Sequence, residues 1–333
     1  MTGGNQMMTL CICAYNASSY IEATLESLSR QTLRNFRLLV IDDCSIDDTV
    51  QKVRRFFLAH NWENTEIVAL PENHGTAYVR NLALHKADTP LMMFFDADDV
   101  AKPEMIEKLY TKLASDENLI AVGCFCNYMD AKGNPLPGGL FLGPQGKEEF
   151  LQKAQAGKMM FFTPPTLFRR EYAIRAGGYR QAGWFPTGPI RYEDLSEDVD
   201  LWGRMSDFFA EGKAMITLPE VLFLYRKNTN SLSTGFAKAR AMGQKMMYIK
   251  ANQLRRRACL PELRFDEYWR TLGHWKKFQF ERRNFGAFLY REACFAYVQR
   301  NLIRCGIRLL GGMLCAPGYP VEKYKANFCK KKK

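Results

Sequence analysis

The stretch Leu91-Met92-Met93-Phe94-Phe95-Asp96-Ala97-Asp98-Asp99 decides how this chain is read. Its unbroken apolar run reads as a strand buried on both faces. The run ends in three acids within four residues. Carboxylates repel one another, so such a cluster needs cations to balance it. A hard divalent ion takes one or two carboxylates plus substrate phosphates, and ligands of open α/β sheets sit beyond the carboxyl ends of the strands. The functional reading is a clamp for Mg²⁺ or Mn²⁺ and a diphosphate. The bland reading is a solvated acidic turn before the helix that follows Pro103, since Asp is common at helix caps.

Upstream, strands alternate with helices. Residues 8–14 form a continuous apolar run, and 15–18 a turn. Ser19 is expected to cap a helix whose apolar face is Tyr20, Ile21, Leu25 and Leu28, with Glu22 in the capping-box position. A second strand, 36–41, ends in Asp42, Asp43, Asp47 and Asp48, and Val50, Val53, Phe56 and Phe57 follow at helical spacing. A third strand, 67–70, precedes the loop 71–75 and a helix over 76–87 that carries Arg80 and Asn81. This order predicts a parallel sheet with helices on both faces. Two strands then end in acids at the same sheet edge, which favours a shared site over two chance turns.

Downstream, a helix is expected over 104–114 and a strand over 119–127. Residues 130–146, rich in Gly and Pro, read as a loop, and Gly177-Gly178-Tyr179 as a tight turn. A second acidic segment, Glu193 to Asp200, runs into an apolar helix through Met205 and Phe208, and a strand covers 218–225. From Phe236 the strand signals stop. Met242, Met246, Ile249 and Leu254 recur at helical spacing, as do Leu263, Tyr268, Leu272 and Trp275. A last apolar run from Phe285 to Leu309 is interleaved with Arg291, Arg300, Arg304 and Arg308.

At 333 residues the chain can bury a sizeable core, and its 47% hydrophobic and 25% charged content is that of an ordinary globular protein. No segment reaches about 18 uncharged apolar residues, so no transmembrane helix is expected. No signal peptide is visible at the start. Cys11, Cys13, Cys124 and Cys126 alternate inside apolar runs and read as small core residues in a reducing cytoplasm. The net charge of +12 is uneven: residues 236–333 carry 23 Lys and Arg against 6 Asp and Glu, a net of +17, leaving −5 for the first 235. That asymmetry divides an acidic, site-bearing part from a basic one.

Taken in order, these pieces resemble glycosyltransferase family 2. The resemblance rests on Cys13-Ala14-Tyr15-Asn16, the segment Ser27 to Thr32, Val40-Ile41-Asp42-Asp43 through Thr49, Asn73-His74-Gly75 to Arg80-Asn81, and Phe95-Asp96-Ala97-Asp98-Asp99. It continues through Gly177-Gly178-Tyr179, Glu197-Asp198-Val199-Asp200-Leu201-Trp202 and Tyr225-Arg226, covering about 8–235. The resemblance implies the GT-A fold, a Rossmann-like, mostly parallel α/β sheet with helices on both faces, and the helical spacing after Phe236 adds a helical C-terminal region. It implies a transferase domain over 1–235, with a nucleotide-sugar half near 1–100 and an acceptor half near 101–235, while charge and helical spacing set apart a basic helical region over 236–333. It also implies a metal-dependent, inverting enzyme that moves sugar from a nucleotide-diphosphate donor, UDP-sugar first, to a hydroxyl of a glycan or lipid-linked acceptor in surface polysaccharide synthesis.

By the same resemblance Ala14, Tyr15, Asp43, Gly75, Arg80 and Asp96 would line the nucleotide, with Tyr15 against the base. Asp98 would hold Mn²⁺ or Mg²⁺. Asp99, Glu197 and Arg226 would contact acceptor or diphosphate, and Asp198 would be the general base. Many relatives carry His where Asn228 stands, and a neutral amide is a weaker metal partner. The rival reading is a non-catalytic nucleotide-sugar binder whose basic tail docks on a membrane or a partner. A nucleotidyltransferase would want a Gly-rich basic loop that residues 13–19 lack. For the basic helices, attachment to an anionic inner membrane face competes with a packed subdomain bearing a solvated basic face; nucleic acid is disfavoured because no binding module is visible. Lys330 to Lys333 read as a disordered end.

Overall fold

The computed structural model describes residues 7–162, 165–227, 235–298 and 300–319. Four strands, β1 (Met8–Ala14), β2 (Phe36–Asp42), β3 (Thr65–Ala69) and β4 (Leu91–Asp96), are connected by α1 (Ile21–Ser29), α2 (Thr49–Ala59) and α3 (Thr76–Lys86). They lie in the order β3-β2-β1-β4, all parallel. β1 and β4 are buried almost throughout, which is why their sequences are continuous apolar runs rather than alternating ones. The chain steps from β1 outward to β3, then returns to the far side of β1 for β4. This creates a switch point, where α/β sheets open a crevice for ligands. The register levels the acid-bearing ends: Ala14 lies opposite Asp42, and Cys13 opposite Asp96.

The sheet continues with β5 (Val100–Ala101), β6 (Leu119–Met129), β7 (Pro135–Leu140), β8 (Thr166–Arg169) and β9 (Ala214–Arg226). Helices α4 (Met105–Ala114), α5 (Lys147–Gln155), α6 (Arg170–Arg175) and α7 (Glu197–Met205) are set among these strands. β8 runs antiparallel between β4 and β6, β9 is parallel to β6, and β5 and β7 add antiparallel partners. β7 corrects the expectation of a loop over 130–146: it is an exposed strand built from Pro and Gly, so no apolar pattern marked it. Ser19 does not cap α1. That helix starts at Ile21 with no side-chain cap, and Glu22 pairs with Lys52 of α2 at 2.9 Å. Cys11, Cys124 and Cys126 are buried in their strands as core residues.

One apolar cluster joins the first hundred residues to the next. Phe94 meets Phe168 at 6.1 Å between ring centroids, Phe95 meets Phe223 at 6.4 Å, and Phe168 meets Trp202 at 5.6 Å.

The C-terminal region is helical: α8 (Phe236–Arg257), α9 (Phe265–Thr271), α10 (His274–Val298) and α11 (Leu302–Cys315). The buried face of α8 includes Ala241, Gln244, Lys245, Tyr248 and Ile249, not the expected stripe through Met242, Met246 and Leu254; Leu254 is 51% exposed. Tyr248 and Ile249 build a second core with Phe185, Phe265 and Tyr268. Charged side chains bolt the same elements together. Arg180 reaches Asp200 at 3.4 Å and also Glu262, while Arg256 and Arg257 both hold Asp207, at 2.5 and 2.8 Å. The run expected over 285–309 is broken between α10 and α11, where the Asn301 side chain caps α11 by accepting the Arg304 amide at 3.0 Å. Among the described residues, no helix is long and apolar enough to cross a membrane. Asn228 and Lys330 to Lys333 lie outside the described residues.

Candidate active site

The ends of β1 and β2 are tied together where the Ala14 carbonyl accepts the Asp43 amide at 2.8 Å. Tyr15 follows, 53% exposed, so an aromatic face is open for stacking. Asp43 is buried, and its carboxylate accepts the amides of His74 and Gly75, both at 2.8 Å, and the Asn73 side-chain amide at 2.9 Å. A carboxylate offers about four acceptor positions, so its own chain uses most of them. Gly75 has φ +93°, and a Cβ there would lie 2.2 Å from Asp194 Oδ2, so only glycine fits. Asp194 in turn accepts the Ala77 amide at 2.8 Å, satisfying an N-terminal donor of α3 from a distant segment.

Arg80 sits on the second turn of α3 and is buried. Its Nη2 reaches Asp96 Oδ1 at 3.2 Å and its Nη1 reaches Glu197 Oε1 at 2.8 Å, while the guanidinium lies 5.4 Å from the centre of the Phe94 ring. Burial alone would lower the Arg80 pKa, but Glu197 and Asp96 hold it well above its usual value. Asn81 accepts the Tyr179 amide at 3.1 Å. A Cβ on Gly178 (φ +64°) would lie 2.4 Å from that Asn81 oxygen, which explains the small residue in the expected tight turn.

At the end of β4, Asp96 and Asp98 are half-buried and Asp99 is buried. Arg226, at the end of β9, straps this turn. Its amide donates to Asp99 Oδ1 at 2.9 Å, its Nε to the Asp98 carbonyl at 2.7 Å, and its Nη1 to the carbonyls of Asp130 and Ala131 at 3.2 and 3.1 Å. Asp99 Oδ2 is buried with no hydrogen-bond partner. Burial pushes the Asp99 carboxyl well above the usual range, and the charges of Asp96 and Asp98 add to the rise. Among the described residues, no three His, Cys, Asp or Glu side chains are grouped to hold a metal by themselves.

The second acidic segment turns at Ser196, which is left-handed (φ 52°), and enters α7. Burial pushes Glu197 up to about 7, Arg80 opposing it and Asp198 adding to it. Burial also raises the half-buried Asp198, again against Arg80. Asp200 departs the other way: burial would raise it, but Arg204 and Arg180 hold it below the usual range.

Sequence reading missed one member of this site, Lys245 of α8. It is fully buried, donates to the Glu193 carbonyl at 3.0 Å and lies 4.6 Å from the Phe185 ring centre. Burial lowers its pKa, opposed by Asp200, Glu197, Asp198 and Asp194. The available signal was a lysine four residues from both Ala241 and Ile249, inside the buried stripe of its helix.

The expected residues thus fall into three groups. Ala14, Tyr15, Asp43 and Gly75 lie around the ends of β1 and β2. Arg80, Asp96 and Glu197 are ion-paired, with Asp198 beside Glu197 on α7. Asp98, Asp99 and Arg226 share the turn after β4. This gathers a cluster of carboxylates around one buried guanidinium at the carboxyl edge of the sheet.

Comparison with known proteins agrees with that architecture. An uncharacterized glycosyltransferase of Haemophilus influenzae is 26% identical over 229 residues, 68% of each chain. A teichoic acid poly(glycerol phosphate) polymerase of Staphylococcus epidermidis is 33% identical over 114 residues, 34% of this chain and 16% of that one. The crystal structure of S. aureus TarS residues 1–349, in complex with UDP-GlcNAc, superposes with a TM-score of 0.55 at 15% identity, over 93% of this chain and 92% of that one, and shows a common fold. The model of glycosyl transferase family 2 matches residues 9–177, about half the chain. The chain belongs to glycosyl transferase family 2.

Proposed function

We propose that this chain moves a sugar from a nucleoside-diphosphate donor, read first as a UDP-sugar, to a hydroxyl of a glycan or lipid-linked acceptor in surface-polymer synthesis, inverting the anomeric centre. The observation that carries the reading is Arg80. One buried guanidinium bonds Asp96, at the strand end that faces the nucleotide in this reading, and Glu197, next to the candidate base Asp198. The TarS structure with UDP-GlcNAc supports the donor class, and the teichoic acid polymerase relative supports the polymer class. In this reading the acceptor is lipid-linked and met at the inner face of the cell membrane, with the enzyme peripheral there.

The residues after β4 fit a hard divalent ion, Mg²⁺ or Mn²⁺. Asp96 and Asp98 are half-buried oxygen donors, and the orphaned Asp99 Oδ2 with its upshifted carboxyl marks a turn short of positive charge. Asp98 would hold the ion and Asp96 would approach the ribose, with donor phosphates completing the shell. A bound ion of this kind neutralises charge on the departing diphosphate. Tyr15 stacks on the base, while Asp43 and Gly75 shape the loop around it. Asp198 takes the proton of the acceptor hydroxyl as that oxygen bonds to the anomeric carbon. The bond from this carbon to the diphosphate oxygen breaks, and its electron pair leaves with the nucleoside diphosphate. Asp99 and Glu197 border the acceptor, and Arg226 keeps the β4 turn in place.

Asp198→Asn tests this. Transfer should fall by roughly 10²–10⁴-fold, the usual worth of a general base, while donor affinity measured by calorimetry stays as in the parent chain. Joint loss of donor binding and turnover would make Asp198 a structural residue. Full retention of turnover would remove Asp198 as the base, and a parent chain that binds the donor without ever transferring sugar would favour the rival reading of a non-catalytic binder.

A further inference from the structure

We infer that the α10–α11 hairpin seats this chain on an anionic lipid bilayer through the outward face of α11. The helix is inside out. Its inner side is glycine: Gly311 lies against Leu289, where a Cβ would come 3.0 Å from Cδ1, and Gly312 lies against the Tyr290 ring, where a Cβ would come within 3.1 Å. The opposite side carries Leu302, Ile303, Ile307, Leu310, Met313 and Leu314, exposed by 68, 79, 65, 64, 47 and 81%. Ile303, Ile307, Leu310 and Leu314 follow one another at spacings of four, three and four, a single stripe along the helix. A surface helix of a globular protein turns such a stripe inward. A contiguous outward patch of this kind marks an interaction surface.

Charge identifies the occupant. Residues 274–319 carry eight Lys and Arg against two Glu, a net of +6, and both Glu are already paired, Glu281 with Arg240 at 2.6 Å and Glu292 with Arg304 at 3.5 Å. Two such hairpins facing each other would repel, whereas an anionic leaflet attracts the basic residues and the apolar stripe alike. Arg304 and Arg308 lie on α11 itself, both on one flank of the stripe, Arg308 toward the Gly312 side. The first 235 residues, at −5, would be turned away from the same surface.

This inference rests on the reading of a membrane-displayed acceptor only for its purpose; the surface can be tested without any acceptor. The full chain is co-sedimented with phosphatidylcholine vesicles that contain or lack phosphatidylglycerol, at roughly 0.1 M and 1 M salt, between which the Debye length falls from about 10 Å to about 3 Å. Binding should be at least roughly tenfold stronger to the anionic vesicles and should weaken with salt, leaving a salt-resistant remainder from apolar burial. Ile303→Glu and Leu314→Glu, both at highly exposed positions, should each weaken it, and Arg304→Gln with Arg308→Gln should remove part of the salt-sensitive component. Thermal unfolding and UDP-sugar binding in solution should match the parent, which separates failure of this surface from failure of the transferase reading. Equal binding to neutral and anionic vesicles, or unchanged binding by the Glu variants, overturns the inference. So does a lipid-free dimer, seen by sedimentation, that the Glu variants dissolve.

Discussion

Arg80 holds two acids whose proposed partners differ, one facing the donor and one the acceptor. With Glu197 raised from about 4.5 to about 7, the fold favours its protonated form, so stability should fall as pH rises across that window, by about 3 kcal/mol in all. Arg80 opposes the rise. Arg80→Met should therefore extend the loss to higher pH and cost about 3–5 kcal/mol once Glu197 is ionised and unpaired, read from urea midpoints at acid and alkaline pH. Lys245 lowers both Glu197 and Asp198. Lys245→Met should shift the acid limb of transfer to higher pH while donor affinity holds; an unmoved limb would limit Lys245 to packing. The acids were legible because carboxylates at strand ends are conspicuous in an apolar context. Lys245 was not, because Met242 and Met246 suggested a different buried face for α8, and only the crossing of α8 over the acidic segment reveals its charge partners.

Elements differ in how far local chemistry determines them. β1, β2 and β4 were readable because burial on both faces demands an unbroken apolar run. β8 has only four residues and β7 is an exposed strand of Pro and Gly, so their partners, not their own residues, make them strands. The turn after β4 depends likewise on a distant residue, since Arg226 of β9 supplies bonds to Asp98, Asp99, Asp130 and Ala131. Arg226→Met keeps the backbone bond to Asp99 but removes the side-chain donors. It should weaken Mn²⁺-supported donor binding by calorimetry more than metal-free binding; equal weakening would contradict the strap. At the start of α3, Gly75→Ala meets both a left-handed backbone and the Asp194 carboxylate. A stability loss of about 1–3 kcal/mol is expected from the strain alone, read from the urea midpoint.

For the whole molecule, the partition at residue 235 follows charge rather than packing. Ending the chain at Gly235 would remove Tyr248, Ile249, Phe265 and Tyr268 from the second core and leave Asp207 without Arg256 and Arg257. Such a truncation should lose donor binding and the sharp unfolding transition together; a well-folded, donor-binding product would show that α8 and α9 are an accessory. The apolar cluster that runs from Met8 through Phe94 and Phe168 to Phe223 has a kinetic consequence. Among the described residues it leaves no hinge between the halves proposed to face donor and acceptor, because opening them like a clam would expose closely packed rings to water. In the proposed reaction, access to the centre is then governed at its rim, by the segments around Tyr15, Asn73 and Ser196. Substitutions there should change the rate of product departure, seen as a burst in the first turnover, without altering how the sheet unfolds.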